Sequence, residues 1–510
     1  MRNLNETAVL NYYLELMDRG EVEFLVGRKS YEESIRSAVI VLRDTNGMNE
    51  RIHAAKNLWK LLFEAAMSSI DTDKRGYDKL FKYFDEYVNF EELIFASDSF
   101  YRDHTLHSLW VYFLGEYLIN HKEFEHFFSG MYANEVLYKK MKDLLESLDM
   151  NDVFGEVIKV YESMVKVNDC MDAVRCIASI THDLGYPLKK IEKINKCIKG
   201  VIPYFSINNY DEFNFSYSEI QQHYITSFIE FLSNMISLNG SNDDIDLAFI
   251  NQIMELDEFE SIIGFKRDEI LKLSPEELLK LKKLLRLQPK IRKSISWNWA
   301  YSKDFEEYSH GIMSAFLLMR NINAFHDIRF SFIDNNHCDL GFMDYKDIIV
   351  KQDILKAVSN HTGGNFKITS ISDTSQYLTF IDELEEFSRI SRANQNREYI
   401  TEFCTTDIYM EDSWFNVDFI FENESIANLD PQKAFKGRCE RFLKLFDLEK
   451  LNANLKIRLR CIGKLPSDSN IYTLEIARKY AKITINDVEK NIPEYLNSKQ
   501  LYTRAEYEAM

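Results

Sequence analysis

The stretch "DAVRCIASITHDLGYPLKK" (172–190) closes an apolar run with a histidine that is directly followed by an aspartate. A buried helix would carry Leu or Ala at these two positions, because an unpaired carboxylate or imidazole is costly to bury. Both residue types are also good metal ligands. Since chance readily supplies one His-Asp pair in a long chain, the question is whether further ligands accompany it.

Composition and charge restrict the class of protein. The chain has 510 residues, 45% hydrophobic and 28% charged, which predicts a globular protein of two or three domains. Its seven cysteines include no CxxC pair, which disfavours thiolate zinc sites and disulfide scaffolds and suits a reducing cytoplasm. The net charge of −19 disfavours binding to long nucleic acids and to anionic membranes, but it leaves room for a small anionic substrate.

Membrane and export signals are not evident in the sequence. No stretch approaches the roughly 18 uninterrupted apolar residues of a membrane span. The first 25 residues carry acids throughout and lack the basic start and apolar centre of a signal peptide. We therefore predict a cytoplasmic protein that does not enter a membrane.

Most of the chain before residue 400 has apolar residues spaced by three and four, which is typical of amphipathic helices. The run "HTLHSLWVYFLGEYLINH" (104–121) is more apolar, which predicts a central helix. "SPEELLKLKKLLRLQ" (274–288) opens with an N-cap serine and a proline at the first helical position. "SQYLTFIDELEEFSRISR" (375–392) is predicted to be the closing helix of this section.

Beyond about residue 400 the pattern predicts strands. "DIYMEDSWFNVDFIFEN" (407–423) alternates, a capped amphipathic helix (430–448) follows, and two strand-like runs occupy 454–465 and 470–486. This order predicts a small α+β domain in which a helix packs on one face of an antiparallel sheet.

Further ligand-type residues occur where other apolar helices begin, end or are interrupted. His107 lies in "YRDHTLHSLWV", His310 opens "HGIMSAFLLM", His361 ends "ILKAVSNHTGG", and Asp382 lies in "YLTFIDELEEF". Each of these side chains needs a partner if it is buried. A metal site would supply that partner to all of them.

The order His, His-Asp, His, His, Asp resembles the HD superfamily of metal-dependent phosphohydrolases, in its six-ligand, two-metal form. The resemblance covers roughly residues 100 to 395, and "AVRCIASITHDLGY" is similar to the hallmark stretch of that family. It departs from the family at Tyr186, where a lysine is usual, and in the long spacer between Asp183 and His310. The ligands that it implies are His107, His182, Asp183, His310, His361 and Asp382.

The resemblance implies a mainly α fold, an all-helical HD-type bundle followed by a small C-terminal α+β domain. We divide the chain into an N-terminal helical region (1–95), an HD-type metal-binding domain (96–398) and the C-terminal domain (399–510). The polar, turn-rich segment around 200–275 is interpreted as an insertion. For the C-terminal domain we expect a role in dimerisation or regulation.

Four imidazoles and two carboxylates suit two divalent transition metal ions, such as Mn, Fe, Co or Zn, better than calcium or magnesium. Asp183 would bridge the two ions around a hydroxide that attacks phosphorus. The expected reaction is hydrolysis of a phosphomonoester or phosphodiester in a nucleotide or small phosphorylated metabolite.

Other groups are expected to handle the substrate. His104, Lys189 or Lys190 would neutralise the phosphate or protonate the leaving oxygen. Arg102, Arg389 and Arg392 are candidates for binding a substrate phosphate.

Several alternatives remain open in the sequence. His104 competes with His107 for the first ligand position, and Glu383 and Asp373 compete with Asp382 for the last. His182 also fits an ordinary helix end. The same ligand set serves di-iron oxygenases in a minority of the superfamily, and a nonhydrolytic nucleotide sensor or a metal-free helical interaction protein are further readings.

Overall fold

The computed structural model describes residues 4–71, 76–95, 100–132, 138–139, 141–143, 145–146, 151–207, 211–213, 216–240, 272–276, 278–279, 287–326, 345–364, 366–387, 389–391, 404–424 and 429–497. In these ranges the protein is mainly α-helical and ends in a six-stranded sheet, as the sequence predicts. None of the described helices is long and apolar enough to cross a membrane.

Four N-terminal helices pack against the section that carries the His-Asp pair. They are α1 (Glu6–Arg19), α2 (Lys29–Asp44), α3 (Met48–Ile70) and α4 (Asp78–Phe95). The indole of Trp59 donates a hydrogen bond to the carbonyl of Ile180 at 2.5 Å, two residues before His182. Helix α3, which contains Trp59, therefore supports the backbone that presents this pair.

Helix α5 (His104–Asn120) is the central helix that its composition predicts, and all but two of its residues are buried. Asp103 caps its N-terminus by accepting a hydrogen bond from the Leu106 amide at 2.9 Å. Its one acid, Glu116, pairs with buried Arg175 at 2.8 Å, which satisfies both charges inside the core.

The remaining helices of the bundle surround α5. They are α6 (Asn151–Asn168), α7 (Met171–Thr181), α8 (Tyr186–Val201), α9 (Glu219–Ser233), α10 (Ile295–Glu306), α11 (His310–Asn321), α12 (Tyr345–Asn360) and α13 (Thr374–Leu384). A turn joins α7 to α8 at the His-Asp pair. The Gly185 of this turn has no room for a side chain, because a Cβ there would lie 2.3 Å from the carbonyl oxygen of His310.

The closing helix is shorter than the sequence predicts. It ends at Leu384, and Arg389 lies instead in strand β4 (Arg389–Ser391), which pairs antiparallel with β1 (Phe100–Arg102). Leaving the helix lets Glu385 and Glu386, which are neighbours in the chain, reach different partners.

Much of the expected insertion lies outside the described residues. Its described part includes α9 and the strand β2 (Asn234–Gly240), which pairs antiparallel with β3 (Leu287–Lys293). The helix predicted for 274–288 is wrong at its end, because residues 287 and 288 belong to β3. Its middle section lies outside the described residues.

The C-terminal sheet has the strand order β10-β9-β8-β7-β6-β5 and carries helix α14 (Pro431–Leu445). Its strands are β5 (Thr405–Glu411), β6 (Trp414–Phe421), β7 (Ile457–Gly463), β8 (Ile471–Ala477), β9 (Tyr480–Ile485) and β10 (Val488–Lys490). The apolar side chains Ala434, Phe435, Cys439 and Phe442 are buried on α14. A short helix, α15 (Ile492–Asn497), follows.

Two details of this domain differ from the sequence prediction. The runs 407–423 and 470–486 are hairpins, because residues with positive φ turn the chain at Asp412, Ser413 and Lys479. The sheet is mixed, because β6 and β7 are parallel. Helix α14 connects these two strands, and parallel neighbours require such a crossover.

Candidate metal centre

All six side chains expected to bind metal lie together inside the helical bundle. Helix α5 carries the first, the turn after α7 carries two, α11 begins with the fourth, the fifth directly follows α12, and α13 carries the last. Groups of three of these residues have ligand atoms within 4.8 Å of one another, so they can hold a metal ion. The six residues are His107, His182, Asp183, His310, His361 and Asp382.

The carboxylate of Asp183 lies between two pairs of imidazoles. Its Oδ1 is 3.2 Å from Nε2 of His310 and 3.6 Å from Nε2 of His361. Its Oδ2 is 3.4 Å from Nε2 of His182 and 3.7 Å from Nε2 of His107. Each carboxylate oxygen of Asp183 thus faces its own pair of imidazole nitrogens.

Asp382 completes the side that contains His107. Its Oδ1 lies 2.8 Å from Nε2 of His107 and 3.8 Å from Nε2 of His182. Its two rivals are engaged elsewhere: Asp373 caps α13 through the Gln376 amide, and Glu383 pairs with Arg441 at 3.5 Å. The geometry therefore favours Asp382.

Hydrogen bonds at Nδ1 orient three of the imidazoles. His182 donates to the carbonyl of Ser179 at 2.6 Å, and His361 donates to the carbonyl of Val358 at 2.7 Å. His107 donates to Oε2 of Glu385 at 2.5 Å. Since carbonyl and carboxylate oxygens accept hydrogen bonds, Nδ1 carries the proton and Nε2 is directed to the centre, as in metal-ligating histidines.

These residues fit a cation on two observations. Nε2 of His361 is buried and has no hydrogen-bond partner among the described residues. Nε2 of His107 lies 3.3 Å from Nε2 of His182, and with both imidazoles neutral two lone pairs would face each other and two carboxylates, so a metal ion or a proton is needed between them. Imidazole with carboxylate is a donor set that suits first-row transition metals.

The charges of the site also favour a bound cation. Burial opposes a charged imidazole at His182, but the carboxylates of Asp183 and Asp382 outweigh it and raise the pKa of His182 to about 9. Burial likewise opposes ionisation of Asp183, yet the surrounding histidines hold the pKa of its carboxyl well below the usual range. Protons and metal ions therefore compete for this centre.

A second polar cluster adjoins the site. Nδ1 of His104 lies 2.7 Å from Oε2 of Glu91, and both side chains are buried. The ring of Tyr186 lies 4.1 Å from the ring of His104 and 4.8 Å from the ring of His310. Nζ of Lys190 lies 4.7 Å above Tyr186. Burial opposes the imidazolium of His104, but the charge of Glu91 outweighs it and raises the pKa of His104.

Among the other residues expected to contact the substrate, the structure describes the side chain of Lys189 alone. Lys189 is exposed and donates to the carbonyl of Glu307 at 3.1 Å, so it does not join the cluster of Lys190. The backbone of Arg102 pairs with that of Arg389 across β1 and β4. Arg392 lies outside the described residues, and phosphate binding by these arginines stays a prediction.

Sequence reasoning missed Glu385 and Glu91. Glu385 follows Asp382 by three residues, but its partner His107 is 278 residues away in the chain. Glu91 lies near the end of α4, in the N-terminal helical region (1–95) rather than in the segment predicted to bind metal. No local pattern distinguishes either residue from the other acids near it in the chain.

Comparison with known proteins supplies no relative, because no family model, curated protein or solved structure matches this chain. What the structure supports directly is a buried His/Asp cluster that can hold metal and is compatible with an HD-type site.

Proposed function

We propose that this protein is a metal-dependent phosphohydrolase that cleaves a phosphomonoester or phosphodiester in a nucleotide or small phosphorylated metabolite. The observation that carries this proposal is the position of Asp183 between two imidazole pairs, each facing a different carboxylate oxygen. A site of this form suits two ions that share one carboxylate. Such a pair lowers the pKa of water and stabilises charge on the attacking and leaving oxygens of a phosphoryl group.

Access to the centre is uneven, which supports one direction of substrate approach. The side chains of His310 and Asp382 are 23% and 22% exposed, whereas those of His107, His182 and His361 are fully buried. We infer that the phosphoryl group enters beside His310 and Asp382. The net charge of −19 favours a compact substrate over a polynucleotide.

The cluster at Tyr186 supplies the remaining roles in this proposal. Lys190 is buried beside Tyr186 and contributes positive charge toward an entering phosphate. His104, held by Glu91, donates a proton to the leaving oxygen, a role that requires a positioned acid near the reacting atoms. The ring of Tyr186 lies against the rings of His104 and His310 and so links this cluster to the metal centre.

Metal analysis by mass spectrometry tests the proposal first. Protein purified without chelator should contain about two transition metal ions per chain, and His182→Ala/Asp183→Ala should lose them. His126→Ala is a control, because His126 is exposed on a short helix and contacts none of the six ligands. Wild-type protein that binds no metal after reconstitution with manganese or iron would refute the assignment.

Substrate screening follows once metal is bound. Metal-loaded protein should release phosphate from some members of a panel of nucleotides and phosphorylated metabolites, and the double variant should not. Oxygen uptake with iron, in the absence of any phosphate release, would instead indicate the di-iron oxygenase alternative.

A further inference from the structure

The segment 382–386 presents carboxylates to two parts of the protein. Asp382 and Glu385 contact the two ring nitrogens of His107, at 2.8 and 2.5 Å. Glu383 and Glu386 contact arginines of the C-terminal helix α14, namely Arg441 and Arg438. One short stretch of chain thus joins the metal centre to the C-terminal domain.

The two contacts with α14 differ in burial. Arg441 and Glu383 are 42% and 24% exposed, and a solvated pair of this kind contributes little to stability. Arg438 and Glu386 are only 2% and 3% exposed and lie 2.8 Å apart. The guanidinium of Arg438 also lies 3.5 Å from the ring centroid of Phe419 in β6, which fixes its position.

Glu385 is the residue at which the chain leaves helix α13. Helix α13 ends at Leu384, and the Glu385 amide makes the last helical bond, to the carbonyl of Ile381. Glu385 itself has extended backbone angles (φ −71°, ψ 120°), and successive side chains of an extended chain point to opposite sides. Glu385 and Glu386 accordingly contact different partners, His107 and Arg438. The ion pair that holds Glu386 against Arg438 therefore also favours the orientation in which Glu385 contacts His107.

Helix α14 also contacts the loop that leads from His361 to α13. The Ile368 amide donates to the carbonyl of Leu445 at the end of α14, and the Asp447 amide donates to the carbonyl of Ile368 at 3.0 Å. Helix α14 thus contacts the chain on both sides of α13, which carries Asp382.

We propose that the C-terminal domain is a structural part of the metal centre, and that Arg438 is a positioning residue that acts through Glu386 to hold Glu385 against His107. The inference rests on the proposed metal site and assigns a function to a domain for which the sequence predicts dimerisation or regulation. The burial of the Arg438–Glu386 pair supports the inference, because separating a buried ion pair leaves uncompensated charges and is strongly destabilising.

The test uses two variants of the full chain. Arg438→Met removes the buried guanidinium that faces Glu386 and leaves the charge of Glu386 without this compensation, which can unfold a protein. Arg438→Met/Glu386→Gln removes both charges, and such neutral replacements are commonly tolerated. The matched control is Arg460→Met/Asp418→Asn, which removes an ion pair of 2.5 Å between β6 and β7 of the same sheet.

Two readouts separate positioning from general damage. Manganese titration should show about tenfold weaker binding for the Arg438→Met/Glu386→Gln variant, in the range found for residues that orient metal ligands. The ¹⁵N NMR signal of Nδ1 of His107 should shift, since its hydrogen bond to Glu385 changes. The control should stay within about twofold of wild-type affinity with its His107 signal unmoved.

A folded Arg438→Met/Glu386→Gln variant with wild-type manganese affinity and an unmoved His107 signal would overturn the inference. Failure of the wild-type protein to bind manganese would instead refute the proposed function. In that event the His107 signal alone would decide whether Arg438 positions Glu385.

Discussion

Glu385 accepts a hydrogen bond of 2.5 Å from Nδ1 of His107, although 278 residues separate the two in the chain. Both side chains are completely buried. The bond fixes the proton on Nδ1 and turns Nε2 toward Asp183 and Asp382. A carboxylate in this position makes the imidazole a stronger metal ligand, because its negative charge favours electron donation from the ring.

Glu385→Gln is expected to weaken metal binding by about 10- to 100-fold, since the amide retains the shape of the side chain but loses its charge. Metal content after dialysis against graded chelator concentrations measures the effect. Glu383→Gln is the matched control, because Glu383 lies on the same segment and pairs with an exposed arginine. Equal affinities for the two variants would show that Glu385 does not support His107.

Gly185→Ala is expected to destabilise the protein and to lower its metal content. A Cβ at this position would lie 2.3 Å from the carbonyl oxygen of His310 and 2.6 Å from the Ser314 amide nitrogen, so α11 must move away from Asp183. Thermal unfolding and metal analysis measure the two effects.

Gly155→Ala provides the comparison for this change, because a Cβ there meets no atom within 4 Å. This exchange within α6 should stabilise the protein by about 0.5–1 kcal/mol. A Gly185→Ala variant that behaves like Gly155→Ala would argue against tight packing between the His-Asp turn and α11.

Glu91→Gln is expected to lower kcat by at least about tenfold while leaving metal content at the wild-type level. The carboxylate of Glu91 raises the pKa of His104 and orients its ring, so in the proposed mechanism its loss would impair proton donation to the leaving oxygen. Steady-state kinetics on a substrate from the phosphate-release screen, together with metal analysis, separate the two properties. An unchanged kcat would remove His104 from the proposed mechanism.

Asp172, the second residue of α7, provides a pH-dependent test of the packing around this helix. Burial raises the pKa of its carboxyl to about 6, against the opposing charge of Arg175 and a hydrogen bond of 2.8 Å from the Phe24 amide. The unfolded chain therefore ionises at lower pH than the folded chain. The free energy of unfolding should fall as the pH rises from about 4 to about 6, by about 2–3 kcal/mol from this group.

Asp172→Asn should abolish this contribution, because an amide does not titrate. Urea unfolding of both proteins between pH 4 and 7 measures it as the difference between their stabilities. That difference should change in favour of the variant as the pH rises and level off above about 6. A difference that is constant with pH would show that Asp172 titrates normally in the folded protein.

The sequence predicts the helical section well, because helices depend on local patterns, whereas metal binding by the six candidate residues stays a prediction. Apolar spacing identifies α5, and the ligand positions are conspicuous because polar residues interrupt apolar helices. Predictions were less successful where a tight turn decides the structure. The runs that became hairpins at Asp412, Ser413 and Lys479 alternate almost as a single strand would, and only the positive φ angles divide them.

The sequence by itself determined the mainly helical fold and the α+β end of the chain, because helix faces and strand alternation follow from neighbours a few residues apart. The six candidate ligands came from the order of His and Asp residues that resembles the HD superfamily. Only the tertiary structure decided between Asp382 and its rivals, separated Lys190 from Lys189, and brought Glu385 to His107 and Arg438 to Glu386. These relationships depend on how helices distant in the chain pack against one another, and no local spacing encodes that packing.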